Sequence, residues 1–243
     1  MVAGITNPVE AALSNPWKAL GVVLDGPLHP GGEEATADLL DRAEVSEETR
    51  ILDAGCGAGE SVELARRRGS FALGVDKNPR QPTTGVRGDL HRLPVEDSSF
   101  DVVLSECSIC LSSDLSVALS EARRVLKPGG RIALSDITVE DDADLTSLPE
   151  KVAQALCLDG DRDTTAFLRN IEEAGFDVRD SDVCDHRDDL LAMRDEVESK
   201  VDYRSLLTLM GERGSRILDG VNELEEAVED GRLGYVSLVA TAK

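Results

Sequence analysis

Between residues 50 and 135, short apolar runs alternate with amphipathic stretches. Arg50 to Ala54, Phe71 to Val75 and Phe100 to Leu104 read as β-strands, with a weaker β run over Gly85 to Arg87. Glu60 to Arg68 reads as a helix. Behind Asp114, a side chain suited to an N-cap, Leu115, Ala118, Leu119, Ala122 and Val125 recur at helical spacing. Lys127-Pro128-Gly129-Gly130 stops that helix, and Arg131 to Ser135 is the next strand. Strands separated by helices of this length require right-handed crossovers, hence a parallel α/β sheet.

The flanks carry other patterns. Asn15-Pro16-Trp17 and Gly26-Pro27-Leu28-His29-Pro30-Gly31-Gly32 are turn chemistry, so the N-terminal region is expected as loop, followed by a helix from about Glu33 to Ala43. Beyond Ser135, Ser147-Leu148-Pro149 opens a short helix through Leu158 that Gly160 closes. Thr164 caps another helix ending at Ala174-Gly175, and Phe176 to Val183 reads as a strand. Apolar or small residues at 203, 207, 210, 214, 217, 221, 224 and 228 alternate steps of four and three. That spacing predicts one amphipathic helix, or two broken near Gly211 and Gly214, with the stripe packed on the chain's own sheet or on a partner helix. Gly234 to Ala240 finishes the chain as a strand.

Composition narrows the function classes. The 243 residues are 41% hydrophobic, enough to bury a full core, and no internal repeat divides them. With 48 acidic against 26 basic side chains, the net charge of −22 argues against nucleic-acid and anionic-membrane partners, whose binding draws on Lys and Arg. Seven aromatic residues leave little for a base-stacking platform. No run approaches the ~20 apolar residues of a membrane span. Met1 to Leu20 is not a signal peptide, and five cysteines lack a disulfide-scaffold spacing, so the expectation is a cytoplasmic protein with reduced thiols. Six Lys against twenty Arg, with Asp in excess over Glu, fits either a salt-loaded cytoplasm or an Arg-rich, high-GC genome.

The candidate chemistry starts at Ile51-Leu52-Asp53-Ala54-Gly55-Cys56-Gly57-Ala58-Gly59. A β run enters a loop with Gly at alternate positions and leaves into a helix, so a ligand can lie against main chain at the helix N-terminus. A dinucleotide fingerprint needs G-x-G-x-x-G. Here Glu60 stands three past Gly57, where it would crowd and repel a pyrophosphate, so the loop favours a ligand without phosphates. Asp76, seventeen residues past Gly59 at the end of the next strand, can accept from a ribose diol. Asp89, in Gly88-Asp89-Leu90 after the third, can accept from an exocyclic amine.

These residues, together with Arg124-Val125-Leu126-Lys127-Pro128-Gly129-Gly130, resemble the class I S-adenosylmethionine-dependent methyltransferases. The resemblance is dense over about Asp53 to Ser135, and the terminal strand fits the family's antiparallel final hairpin. It implies a Rossmann-like α/β fold: a seven-stranded, mostly parallel sheet with an antiparallel last strand and a helical insertion before it. It also implies one domain over 1–243, with an N-terminal cap and first helix over 1–45, a cofactor-binding core over 50–136 and a substrate-side half over 137–243 whose insertion spans about 188–230. By that resemblance Asp53, Gly55, Cys56, Gly57 and Gly59 hold the methionine end of S-adenosylmethionine. Asp76, with Lys77 beside it, holds the ribose hydroxyls, and Asp89 with the Leu90 amide holds adenine.

The acceptor is less determined. Leu104-Ser105-Glu106-Cys107-Ser108-Ile109-Cys110-Leu111 resembles the arsenite methyltransferase subgroup, and Cys157-Leu158-Asp159-Gly160 matches its downstream thiol segment in spacing. Cys107 and Cys157 could therefore chelate a soft centre such as trivalent arsenic. Against a direct transfer, Glu106 replaces the subgroup's Asn, and no Cys precedes the glycine loop. The competing enzyme is a carbon or oxygen methyltransferase of the quinone-biosynthesis type, with Glu106 or His29 as base. A non-catalytic S-adenosylmethionine-binding module, or a homodimer through the C-terminal helices, is the reading from another class. No metal cluster is expected, because the three histidines are scattered and Cys107-x-x-Cys110 has no companion pair. His91, His186 and Cys184 receive no role.

The charge generates a first prediction. Carboxylate runs such as Glu140, Asp141, Asp142 and Asp144 repel one another, and salt screens that repulsion. A melting temperature that climbs steeply between about 0.1 M and about 2 M KCl identifies a salt-adapted surface, since screening lengths fall to about 3 Å at 1 M. A flat profile identifies the high-GC explanation instead.

Overall fold

The computed structural model describes residues 8–24, 26–139, 150, 153, 158, 163–178 and 183–243. The core alternates strands and helices: β1 (Arg50–Ala54), α4 (Glu60–Arg67), β2 (Phe71–Asp76), β3 (Gly85–Arg87), β4 (Phe100–Glu106), α5 (Leu115–Val125) and β5 (Leu126–Val139). Before it stand α1 (Pro8–Ser14), α2 (Pro16–Val23) and α3 (Gly32–Arg42); after it come α6 (Thr164–Glu173), β6 (Phe176–Asp177), β7 (Val183–Asp185), α7 (Arg187–Lys200), α8 (Tyr203–Thr208), α9 (Glu212–Glu229) and β8 (Leu233–Ala242). One sheet results, ordered β3-β2-β1-β4-β5-β8-β6, with β7 also paired to β8. Strands β1 to β5 are parallel, and β8 runs antiparallel to β5.

Alternate residues of each strand feed opposite layers. Leu52, Val103, Ile132 and Leu134 pack against α5 and α6 through Leu119, Ala122, Phe167 and Ile171. Ile51, Val102, Leu104 and Ala133 pack against α3 and α4 through Leu39, Leu40, Val62 and Ala65. Strands buried on both faces explain why the apolar runs are continuous. A smaller cluster of Cys107, Ile137, Ala227, Val228, Leu233 and Tyr235 joins the insertion to the ends of β4, β5 and β8. Arg124 pins the loop before β4, donating to the carbonyls of Leu93 and Val95 and to the carboxylates of Glu121 and Asp97.

Several boundaries differ from the pattern-based expectation. The N-terminal region is helical where loop was expected, because Asn15 caps α2 by accepting from the Lys18 N–H and Pro16 occupies the first turn. Asn-Pro thus starts a helix here. Leu126 enters β5 directly from α5, so Lys127 to Gly130 lie within a strand with a register shift opposite Phe100 to Val102. Asp163, not Thr164, caps α6 by accepting from the Ala166 N–H. The single strand expected from Phe176 appears as β6 and β7, which raises the sheet from seven strands to eight. The helix expected between Ser147 and Gly160 falls, with Cys157, outside the described residues.

The C-terminal stripe resolves into two helices, broken at Gly211 as one of the two expectations had it. Gly214 sits beneath the main chain of Leu207: a Cβ there would overlap the Leu207 carbonyl. Gly214→Ala should therefore destabilise the protein by about 1–3 kcal/mol, the usual cost of forced overpacking. Thermal unfolding checks this, with Gly21→Ala as the comparison, where φ is ordinary and the added methyl meets only the flexible Arg80 guanidinium.

Candidate functional site

At the carboxyl ends of β1, β2, β3 and β4 the structure opens a cavity of about 790 Å³. Such edges are where ligands bind in open α/β sheets. Asp53, Gly55, Cys56, Gly57, Asp76, Lys77, Asp89, Leu90, Glu106, Cys107 and His29 all line it, so residues read from five separate stretches of sequence meet in one place. Gly59 does not line it.

The glycines act differently from one another. Gly57, at φ +51°, has open space where a Cβ would stand, while its N–H donates to Asp76 and its carbonyl accepts from the Arg80 N–H. Gly55 and Gly59 instead make room for protein: a Cβ on the first would strike Ser108, and one on the second Thr84. Cys56 turns its side chain inward, against the positions a Cβ would take on Gly74 and Gly85. Burial pushes its thiol up to about 12, with Asp53 and Asp76 adding to the shift. The Cys56 side chain therefore serves packing, and its main chain is bonded to Val75 and Gly59.

Asp76 ties the loop together. Its carboxylate accepts from the Gly57 N–H at 3.1 Å and from the Asn78 N–H at 2.6 Å. Asp89 is held well ionised, chiefly by the His91 N–H at 2.9 Å. The His91 ring bridges onward, with Nδ1 3.1 Å from Asp89 and Nε2 2.8 Å from the Ser112 hydroxyl. His91 thus belongs to the wall of the cavity, although its isolated sequence position pointed to nothing. Lys77 stands 3.8 Å from Asp89.

Asp53 is the exception among these carboxylates. It is 4% exposed, and no described residue donates a hydrogen bond to it. Burial raises its pKa well above the ordinary value, and Glu106, Asp76 and Glu60 raise it further by repulsion. The last residue of β4, Glu106, is better provided: Ser61 Oγ donates at 2.8 Å and Thr36 Oγ1 at 3.1 Å. His29 Nε2 lies 3.6 Å from the same carboxylate, with both side chains almost fully buried.

Cys107 follows at φ +47°, a left-handed conformation that a non-glycine residue adopts at some cost. Its N–H bonds the Ser135 carbonyl and its sulfur lies 3.8 Å from the Tyr235 hydroxyl, which donates to Ser135 Oγ at 2.7 Å. Burial raises the thiol well above its ordinary range, and Asp136 and Glu106 add to this, so it is held protonated. Cys110, buried in the turn beyond, is disulfide-bonded, which corrects the expectation of reduced thiols at that residue. A disulfide depends on where two sulfurs meet in space, which chain spacing does not reveal. His186 lies elsewhere, between Asp189 and Ser237. No group of metal-ligating side chains occurs among the described residues, and no described helix is long and apolar enough to cross a membrane.

The chain is similar to known proteins. Residues 52–134 match the family described as a methyltransferase domain. The chain is 30% identical to Methyltransferase GfsG of Streptomyces halstedii over 172 residues, 63% of this chain and 61% of that protein. It is 32% identical to an arsenite methyltransferase of Halobacterium salinarum over 53% of this chain and 37% of that one. The chain thus matches about three fifths of the first relative and about two fifths of the second. Its fold is that of a putative sarcosine dimethylglycine methyltransferase from Galdieria sulphuraria, with a TM-score of 0.68, 22% identity, and 86% and 83% of the two chains covered.

The unpartnered carboxyl of Asp53 generates a prediction. A carboxyl whose pKa is raised by folding binds its proton more tightly in the folded state. The wild type therefore loses stability as pH rises from the ordinary carboxylate range through the raised value. Asp53→Asn removes that loss. The variant should melt above the wild type at pH 8, with the difference shrinking as the pH falls toward about 4. An equal difference at both ends of the range would remove burial of charge as the cause.

Proposed function

We propose that this chain, whose residues 52–134 match a methyltransferase domain, transfers a methyl group from S-adenosylmethionine to a small-molecule acceptor. The observation that carries this reading is Asp53: a buried carboxylate without a donor, in a cavity where Glu60, Asp76 and Glu106 add negative charge. A cationic ligand answers that field, and S-adenosylmethionine carries a sulfonium and an ammonium. When bound it supplies an already activated methyl group.

The chain's own residues then bind and orient. Asp53 and the loop at Gly57, where no side chain intrudes, hold the methionine end, with the Gly55 and Cys56 main chain completing the loop. Asp76 holds the ribose diol through the lone pairs left by its two N–H donors. Asp89, kept ionised by the His91 N–H, and the Leu90 amide hold adenine, with Lys77 at the rim. Gly59 supports this indirectly, by letting Thr84 close against the loop. The acceptor enters on the β4 side, beside Glu106, Cys107 and His29, and alignment with water excluded supplies most of what methyl transfer needs.

A thiol-captured acceptor such as trivalent arsenic is the second reading, because Cys107 lines the cavity and the arsenite enzyme is among the relatives. It requires Cys107 to give up a proton that burial makes it hold. Cys107→Ser should abolish turnover of trivalent arsenic under this reading and leave turnover of other acceptors nearly intact.

The cofactor assignment is tested at Asp76. Hydrogen bonds from two hydroxyls to a carboxylate contribute about 1.5–3 kcal/mol each. Asp76→Ala should weaken S-adenosylmethionine binding at least about tenfold by calorimetric titration, while NAD binds neither form. Equal affinities for wild type and variant would remove Asp76 from the site.

A further inference from the structure

We infer that His29 is the proton acceptor of the reaction, that Glu106 positions and stabilises it, and that the acceptor is a neutral or cationic nucleophile that loses a proton on methylation. This inference rests on the reading of the site as a methyltransferase site. His29 lies in the loop before α3 and Glu106 at the end of β4, seventy-seven residues later, yet the two side chains meet at 3.6 Å on one cavity wall.

The hydrogen bonds define the state of the ring. His29 Nδ1 lies 3.1 Å from the Pro30 carbonyl, which can only accept, so Nδ1 carries a proton. In the neutral imidazole the lone pair is then on Nε2. That atom faces Thr36 Oγ1 at 3.2 Å and the Glu106 carboxylate. Thr36 has one hydroxyl proton, so it donates to Nε2 while the ring is neutral and turns to Glu106 once Nε2 is protonated; the Ser61 hydroxyl holds Glu106 in both states. A proton arriving at Nε2 makes an imidazolium beside a buried carboxylate, an arrangement that stabilises the charge as it forms. The other charged groups nearby are acidic. Asp53 faces Glu106 from β1, and Asp189, paired with His186, reaches from α7 to Gly31 in the His29 loop.

The acidity of this end of the cavity selects the acceptor. An anionic nucleophile would meet Asp53, Glu60 and Glu106. The cations on the wall, Lys18, Lys77 and Arg80, stand exposed on α2 and on the segment after β2. The nucleophile therefore binds with its proton, as an ammonium, phenol or enol, and must lose it in the site. In the step, the bond from the attacking N, O or C to the methyl carbon forms as the S–CH3 bond breaks. The S–CH3 electron pair returns to sulfur, and the acceptor's proton passes to His29 Nε2.

The experiment measures S-adenosylhomocysteine release with primary amines, phenols, 1,3-dicarbonyl compounds and trivalent arsenic as probes, between pH 5 and 9. It compares wild type, His29→Ala, His29→Asn, Glu106→Gln and Glu106→Asp. We expect turnover of at least one protic probe, with an acidic limb in kcat. His29→Ala should lower kcat at least about 100-fold with KM little changed, and added imidazole should restore part of it. Glu106→Gln should lower kcat with KM for the acceptor little changed, and Glu106→Asp should restore part of the loss. Both His29 variants should bind S-adenosylmethionine as the wild type does in calorimetry. Turnover of arsenic alone, or of no protic probe, overturns the inference, as does full activity in His29→Ala. Failure of the wild type to bind S-adenosylmethionine overturns the underlying reading itself.

Discussion

Four carboxylates, Asp53, Glu60, Asp76 and Glu106, converge at the carboxyl edge of the sheet, and the rest of the site is arranged around their mutual repulsion. A buried carboxylate needs donors or an opposite charge. Glu106 has hydroxyl donors from α3 and α4, with an imidazole beside it; Asp76 has two main-chain N–H groups. Asp53 has neither, so the fold carries an unmet electrostatic demand at the point where the glycine loop begins. A cation meets it, and a ligand with a negative pyrophosphate would worsen it. The same field holds Cys56 and Cys107 protonated.

The space for that ligand is made by packing as much as by loop flexibility. Ser108 and Thr84 sit where side chains on Gly55 and Gly59 would be, which draws the loop against β4 and the β3 lead-in. Cys56 fills the gap over Gly74 and Gly85, so β2 and β3 approach the loop from below. Gly57 alone is left facing outward. At β4, the left-handed turn at Cys107 carries the chain out of the sheet just after Glu106, and the Tyr235 hydroxyl closes the floor beneath it. The insertion takes part through Leu190, Leu191 and Leu224, which back the same small cluster. Helices outside the core strands thus fix the acceptor side of the cavity.

Much of this was legible in the residues. The strands β1 to β4, their helices and the final antiparallel strand follow from apolar runs of strand length between capped amphipathic segments, because parallel strands buried on both faces must be continuously apolar. The spacing of Asp53, Gly57, Asp76 and Asp89 after successive strands was enough to place them on one edge, since every strand of a parallel array ends on the same side. Short-range chemistry was misread where one motif serves two structures, as at Asn15-Pro16, which starts a helix, and at Lys127 to Gly130, which stay in the strand.

The sequence by itself therefore determined the sheet and the edge at which its acids gather, because these depend on periodicity, spacing and charge along the chain. Tertiary structure alone decided that Gly55 and Gly59 serve packing while Gly57 serves the cavity, that Cys56 turns away, and that His91 joins the wall. It alone brought His29 to Glu106 and placed Thr36 and Ser61 around them. These are contacts between segments tens of residues apart, set by how α3 and α4 lie against the sheet, and no local pattern encodes the direction in which a side chain meets a distant one.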